Sequence, residues 1–273
     1  MRPKKQLIKF LVEDIGKKDI TSKLLTEKRV KAKIITRENC IIAGTDFTKQ
    51  IFSLKGCKVK IIKSDGSFIK SNQTIIEITG SSYSVLSCER TALNLLSRMS
   101  GIATQTNSLV KKIKKAKSNA QVFATRKTAP GLRLFDKEAV KIGGGEKHRM
   151  KLDEMIMIKD NHIAIHNSMP DLIKKAKKNR KKIEVEVENE KDAVIAANLG
   201  VKIIMLDNFN PKRIRKVIKK LEKLGLRKKV KLEASGRINL KNIERYAKTG
   251  VDMISIGSIT SSPKSIDMSL EIC

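Results

Sequence analysis

Apolar positions along this chain follow one rhythm up to about residue 120 and another beyond it. Residues 3–14 place Leu7, Ile8, Phe10 and Leu11 at helical spacing and predict an amphipathic helix. Short β-branched runs follow at 29–36, 40–43, 57–63 and 73–79, separated by turn signals such as Ser64-Asp65-Gly66. They predict an antiparallel sheet. A long helical stretch then covers roughly 82–116, with Leu86, Leu93, Leu95, Leu96 and Met99 as its apolar positions. Gly101 sits inside it and is expected to divide it in two.

From about 120 strands and helices alternate. Strands are predicted at 121–125, 154–159, 183–188, 202–207, 230–235 and 252–257, and helices at 134–142, 169–180, 190–199, 211–224 and 239–249. Such alternation implies parallel strands joined by helical crossovers. Six strands are fewer than the eight of a closed barrel, so the pattern suits either an irregular barrel or an open sheet. The change of grammar puts the expected domain boundary near 105–118.

Composition narrows the function classes. The chain has 273 residues, 40% of them hydrophobic, enough for a sizeable core in one or two domains. No apolar run approaches the roughly 20 residues of a membrane span. The basic Met1-Arg2-Pro3-Lys4-Lys5 is followed soon by Glu13 and Asp14, with no signal-peptide core between them, so a cytoplasmic location is expected. Cys40, Cys57, Cys88 and Cys273 are far apart and form no CxxC pair, which favours buried free thiols over disulfides or zinc. Lys and Arg number 59 against 28 acids, a formal charge of +31. That footprint suits nucleic acid, or an enzyme for anionic substrates beneath a general lysine bias. The lysines favour the second, because runs such as Lys111-Lys112-Ile113-Lys114-Lys115 and Lys174-Lys175-Ala176-Lys177-Lys178 fall on predicted helix faces. Aromatic residues make up only 3%, too few for base-stacking platforms.

Candidate chemistry concentrates in residues 125–162, where Arg126, Lys127, Arg133, His148, Arg149 and Lys159 surround Gly143-Gly144-Gly145. Cations beside glycines and strand ends can converge on a polyanion. His148 is the histidine expected to touch ligand, while His166 reads as a core or cap residue. The glycine run lacks Walker or dinucleotide spacing and reads as a turn that delivers His148 and Arg149. In Ile183-Glu184-Val185-Glu186-Val187-Glu188 the three acids share one face. On an edge strand that face would simply be wet. Inside a barrel the acids would need cations or a metal as partners. Lys159-Asp160-Asn161 and Asp207-Asn208 end two strands, where they could cap helices or build a site. Glu233-Ala234-Ser235-Gly236 and Ser255-Ile256-Gly257-Ser258 are small-residue junctions suited to a phosphate.

At these residues the chain resembles the quinolinate phosphoribosyltransferases almost from end to end. The resemblance is carried by Glu13-Asp14-Ile15-Gly16 with Asp19-Ile20-Thr21-Ser22, by Ile42-Ala43-Gly44, and by Glu89-Arg90-Thr91-Ala92-Leu93-Asn94 running to Ser100-Gly101-Ile102-Ala103-Thr104. It continues through Thr125-Arg126-Lys127-Thr128, the glycine run with His148-Arg149, Ile158-Lys159-Asp160-Asn161-His162, Glu184 to Asn189, Leu206-Asp207-Asn208 and Glu233-Ala234-Ser235-Gly236. One departure is Lys147, where the family often has Asn.

The resemblance implies an α/β fold with an N-terminal α/β sandwich domain, taken as 1–112, and a C-terminal incomplete, TIM-like α/β barrel, taken as 113–273. It implies conversion of quinolinate and phosphoribosyl pyrophosphate to nicotinate mononucleotide, pyrophosphate and CO2 in NAD biosynthesis. A homodimer or a hexamer (a trimer of dimers) is expected, with Arg90 reaching a neighbour's site. Arg126, His148, Arg149 and Lys159 would hold the acceptor carboxylates. Lys127, Glu186 and Asp207 would face the donor and its Mg2+, the two acids being the candidates closest to the metal. Ser235, Gly236, Arg237, Ile256, Gly257 and Ser258 would take the 5′-phosphate, and Thr125 completes the substrate-binding set. Glu186, Asp207, Lys127 and Lys159 are the residues expected to carry catalysis, with Glu186 facing the positive charge that develops on the ribose as pyrophosphate leaves. The other readings are a phosphoribosyltransferase for another pyridine-like carboxylate and a nonenzymatic, basic nucleic-acid-binding protein. Neither a specific nucleic acid nor a membrane is expected as a partner.

Overall fold

A computed structural model describes residues 3–273. Its N-terminal elements are α1 (Pro3–Ile15), β1 (Arg29–Thr36), β2 (Cys40–Ile41), α2 (Thr45–Ser53), β3 (Lys58–Ile61), β4 (Phe68–Ile69), β5 (Thr74–Ser81) and α3 (Ser82–Lys115). There follow β6 (Gln121–Phe123), α4 (Arg133–Ile142), β7 (Ile156–Ile158), α5 (Asp160–His166), α6 (Met169–Ala176), β8 (Ile183–Val187) and α7 (Glu190–Asn198). The chain closes with β9 (Ile203–Asp207), α8 (Pro211–Lys223), β10 (Lys231–Ser235), α9 (Ile243–Ala247), β11 (Met253–Ser255), α10 (Ser258–Ser261) and β12 (Met268–Ile272). Two compact units result: Met1–Asn107 with Thr128–Gly144 and Ile259–Cys273, and Ser108–Lys127 with Gly145–Ser258. No helix of the described residues is long and apolar enough to cross a membrane.

The first unit is an α/β sandwich built on an antiparallel sheet in the order β12-β1-β5-β3, with β2 and β4 paired separately. Alternation along β1 buries Val30, Ala32 and Ile34, and Ala32 faces Ile78 on one side and Ile272 on the other. Phe135 of α4 lies 5.7 Å from Phe10 and edge-on to Phe47 at 4.9 Å. Helix α2 was not expected. Its start is fixed from a distance, because the Asp65 carboxylate accepts the N–H groups of Gly44 and Thr45 at 2.9–3.1 Å. The Ser64-Asp65-Gly66 turn therefore does the work of an N-cap.

Helix α3 is unbroken, contrary to the expected division at Gly101. Within the first unit, a Cβ on Gly101 would overlap the carbonyl oxygen of Lys264. The glycine marks close packing of chain against helix rather than a break. Three cysteines are buried as expected, but Cys273, next to the chain end and beyond β12, is exposed.

The second unit holds all six expected parallel strands, in the order β6-β11-β10-β9-β8-β7. Helix α8 shows why the crossovers form. Pro211 opens it, Asn210 caps it by accepting the Arg213 N–H at 2.9 Å, and Ile214, Val217, Ile218 and Leu221 bury one stripe. Each of these side chains stabilises the fold by roughly 1.5–3 kcal/mol relative to exposure. Asn189 and Ser168 cap α7 and α6 in the same way. Beyond β6, Glu146 takes up the edge: Ala124 N–H donates to its carbonyl at 2.9 Å, and its own N–H donates to Val122 at 2.7 Å. The barrel is incomplete, and its strands end together on one rim.

Gly101→Ala is expected to destabilise the protein by roughly 1–3 kcal/mol through overpacking. Thermal unfolding followed by circular dichroism should show a melting temperature several degrees below wild type.

Candidate active site

The rim at the C-terminal strand ends collects most of the expected site residues. Because β7 and β8 pair in register from Ile156↔Ile183 to Ile158↔Val185, the next position, Lys159, comes level with Glu186. Their side chains form an ion pair there. Asp207 ends β9, and Ser235 ends β10 directly beside it. Asn208 follows with a left-handed φ of 53°; its N–H donates to Ser235 O at 3.0 Å and its Nδ2 to Asp207 at 2.6 Å. Helix α8 is capped by Asn210, so the Asp207-Asn208 pair is left for the rim rather than used as a cap.

Two small-residue junctions lie on the same rim. Gly236 has φ of 97°, and a Cβ there would stand 2.8 Å from Asn208 N, so only glycine fits. Arg237 follows at φ 52° and is exposed. Ile256 N–H donates to Phe123 O at 3.1 Å, which ties the second junction to β6. There the Lys127 side chain crosses Gly257, with Cδ 2.9 Å from where a Cβ would stand and Thr125 Oγ1 at 3.6 Å. Ser258 begins α10 and is exposed. Arg90 belongs to the first unit, where it is exposed on α3.

Beneath the rim lies a charged core. The alternation in β8 turns Glu184 and Glu186 to one face as expected, but Glu188 lies past the strand end, is exposed, and gives its carbonyl to Arg213 at 2.7 Å. Glu184 and Glu233 have no exposed surface. Between them stands His148, its Nε2 3.2 Å from Glu184 and 3.3 Å from Glu233. Its ring meets Phe123 edge-on at 5.9 Å. Glu184 was expected to need a partner, but the matching role of Glu233 was missed, although the alternation Leu232, Glu233, Ala234 on β10 carried the same signal as β8.

Burial resists charge on His148, yet the acceptor carboxylates of Glu184 and then Glu233 outweigh it and push the ring up from 6.5 to about 9. Burial also raises the Glu184 carboxyl, against the lowering hydrogen bond to His148 and with the help of Glu233. Both shifts describe one extra proton shared by the cluster. The Arg149 N–H donates to His148 Nδ1 at 2.8 Å, which ties the ring to the backbone that follows it.

Arg149 Nη1 donates to Met155 O at 3.0 Å, and Nη2 lies 3.3 Å from Met157 Sδ. Burial, and then the neighbouring Arg126, lower the Arg149 pKa from its usual value. Arg126 Nε is buried without a hydrogen-bond partner. Two guanidinium groups side by side, one with a donor unmet, form a pocket that an anion would complete.

An incomplete α/β barrel with cations and carboxylates gathered at its strand ends defines a barrel enzyme that acts on anionic small molecules. Residues 19–100 match the model of the quinolinate phosphoribosyl transferase N-terminal domain, and residues 102–271 match that of the C-terminal domain. The chain belongs to the quinolinate phosphoribosyltransferase family. A probable carboxylating nicotinate-nucleotide pyrophosphorylase of Methanocaldococcus jannaschii is 46% identical, over 98% of this chain and 96% of its own. The carboxylating nicotinate-nucleotide pyrophosphorylase of Rattus norvegicus is 32% identical over 96% and 88%. The solved structure of the Francisella tularensis nicotinate-nucleotide pyrophosphorylase aligns with a TM-score of 0.92 at 38% identity, covering 99% of this chain and 96% of that one.

The shared proton has a pH signature. The folded cluster binds it more tightly than the unfolded chain does, so its stabilisation is complete below about pH 6.5 and is lost as pH rises through about 9. The melting temperature should fall across that window in wild type. Glu184→Gln, which removes one carboxyl from the cluster, should flatten the slope, and an equally steep slope in the variant would contradict the assignment.

Proposed function

We infer that this enzyme condenses quinolinate with phosphoribosyl pyrophosphate and releases pyrophosphate and CO2 to give nicotinate mononucleotide, a step of NAD biosynthesis. The observation that carries this reading is the neighbouring pair Arg126 and Arg149, half-buried on the rim, with the Arg126 Nε buried and without a hydrogen-bond partner. A pyridine dicarboxylate supplies the planar acceptors that such guanidinium groups take in bidentate fashion. The relatives named for the same conversion, similar over nearly the whole chain, support it.

The residues divide by charge. Arg126, Arg149 and Lys159 face the acceptor's carboxylates. Lys127, crossing Gly257, faces the donor's phosphates, and the junctions at Ser235-Gly236-Arg237 and Ile256-Gly257-Ser258 offer backbone N–H groups to its 5′-phosphate. Glu186 and Asp207 are half-buried oxygen donors on the rim, a set that fits Mg2+ held through one or two carboxylates and substrate phosphates. When bound, Mg2+ would neutralise charge on the departing pyrophosphate. Glu186 stands ready to stabilise the positive charge that develops at the ribose anomeric carbon. Ribosylation makes the ring nitrogen cationic, and its positive charge stabilises the electron pair left on the adjacent carbon as CO2 departs; that carbon then takes a proton from water, so no side-chain nucleophile is needed. Alignment and charge placement carry the reaction.

We further infer that the working enzyme is a homo-oligomer, a dimer or a trimer of dimers, in which the exposed Arg90 completes a neighbour's site.

The purified protein should release CO2 from carboxyl-labelled quinolinate only when phosphoribosyl pyrophosphate and Mg2+ are present. Arg149→Ala should lower kcat/KM at least a hundredfold. Release with nicotinate as the preferred acceptor, or none from the oligomeric protein, would overturn the assignment. Tight, salt-sensitive nucleic-acid binding that survives Arg149→Ala would favour a binding protein instead. Arg90→Ala mixed with Arg149→Ala should recover part of the activity by forming intact mixed sites. No recovery despite proven subunit exchange would rule out the shared site.

A further inference from the structure

We propose that Glu184 and Glu233 are positioning residues of the acceptor pocket: from beneath, they hold His148 in a left-handed conformation and so aim Arg149 at the acceptor. The proposal rests on the acceptor reading of Arg149 given above.

Both ring nitrogens of His148 are committed to protein groups. Nε2 faces Glu184 and Glu233 at 3.2 and 3.3 Å, and Nδ1 accepts the Arg149 N–H at 2.8 Å. The ring therefore acts through its neighbour in sequence. Its φ of 52° lies where a residue with a side chain is disfavoured, so something must keep it there. The two acids come from β8 and β10, with β9 between them, and neither has exposed surface. Elements of the rigid sheet thus fix the imidazole, the imidazole fixes the Arg149 backbone, and Met155 O at 3.0 Å with Met157 Sδ at 3.3 Å sets the guanidinium.

The acids are poor choices for stability. Glu184 Oε1 and Oε2 and Glu233 Oε1 are buried without hydrogen-bond partners. A core built for stability alone would carry apolar residues or amides at these places. Acids retained at a stability cost beneath an anion pocket point to a task in that pocket.

A cation is the rival occupant, because the ligand atoms of His148, Glu184 and Glu233 lie within 4.8 Å of one another. The ring nitrogen already hydrogen-bonds Glu233 and lies 3.2 Å from Glu184, which favours the direct arrangement.

The test uses the full-length wild type, Glu184→Gln, Glu233→Gln, Arg149→Lys and the double variant Glu184→Gln/Arg149→Lys. Quinolinate Kd is read by calorimetry, the steady-state constants by CO2 release, the melting temperature by scanning, and metal content by elemental analysis. Each Glu→Gln variant should weaken quinolinate binding and raise its KM roughly tenfold to a hundredfold, the scale of a misplaced binding group. The KM for phosphoribosyl pyrophosphate should stay within about twofold and the melting temperature should hold or rise. The double variant should bind quinolinate no worse than Arg149→Lys alone, since the acid acts through that residue. Unchanged quinolinate affinity in both Gln variants would overturn the proposal, as would additive losses in the double variant. So would a stoichiometric divalent metal in the wild type that Glu233→Gln loses. A wild type that neither binds nor turns over quinolinate would instead refute the function inferred above.

Discussion

Two carboxylates buried inside a parallel sheet are the constraint on which this site depends. Glu184 and Glu233 sit on separate strands with β9 between them, and neither has water to solvate it. Parallel strands covered on both faces ordinarily carry apolar side chains there. An unpaired buried carboxylate is among the costliest groups a core can hold, so a donor must be brought to it. That donor is His148, carried by the loop that follows the glycine run. Placing His148 brings Arg149 beside Arg126. The pocket therefore follows from a charge-balance requirement set below the rim.

Charge elsewhere on the chain is less informative than its amount suggests. Much of the excess cation lies on solvated surface, as at Lys174, Lys175, Lys219 and Lys220, where a cation has little effect on what binds at a distant rim. What matters is where opposite charges are left for ligands. Lys159 and Glu186 pair with each other, so each is neutralised without holding any other group. In the proposed reaction a dicarboxylate acceptor would compete for Lys159 and a cationic transition state for Glu186, and the partly exposed side chain of Lys159 keeps the cost of parting them small. Arg126 and Arg149 repel each other, Glu184 offsets part of that repulsion at Arg149, and a bound anion would offset more.

The six parallel strands could be read from the sequence because each is a short apolar run closed by a turn or a cap, a local signal. The rim was readable for the same reason: Lys159, Asp207, Ser235 and Gly257 each lie at a strand end or within two residues of it. What stayed hidden is long-range. Strand β12 joins the N-terminal sheet by setting Ile272 against Ala32, and no local pattern announces that partnership. Asp65 caps a helix about twenty residues before it. Gly101 looked like a break because glycine weakens helices, yet it is needed where Lys264 passes close by. Glu233 was passed over because Ala234-Ser235-Gly236 gave the segment the look of a turn, although its alternation placed the acid inward beside Glu184.

The conformation of His148 shows which effect wins at the centre. Glycine or asparagine would adopt φ of 52° with less strain, and glycines already stand three to five residues earlier in the same loop. A histidine costs roughly 1–2 kcal/mol there. Hydrogen bonds involving a charged group contribute roughly 1.5–3 kcal/mol each, and this ring makes its contacts with its side chain only 7% exposed. The side-chain contacts therefore offset the backbone strain, and the balance holds only while both acids remain beneath the ring. Left-handed geometry at His148 and buried acids at Glu184 and Glu233 are two ends of one compensation, and Arg149 takes its direction from it.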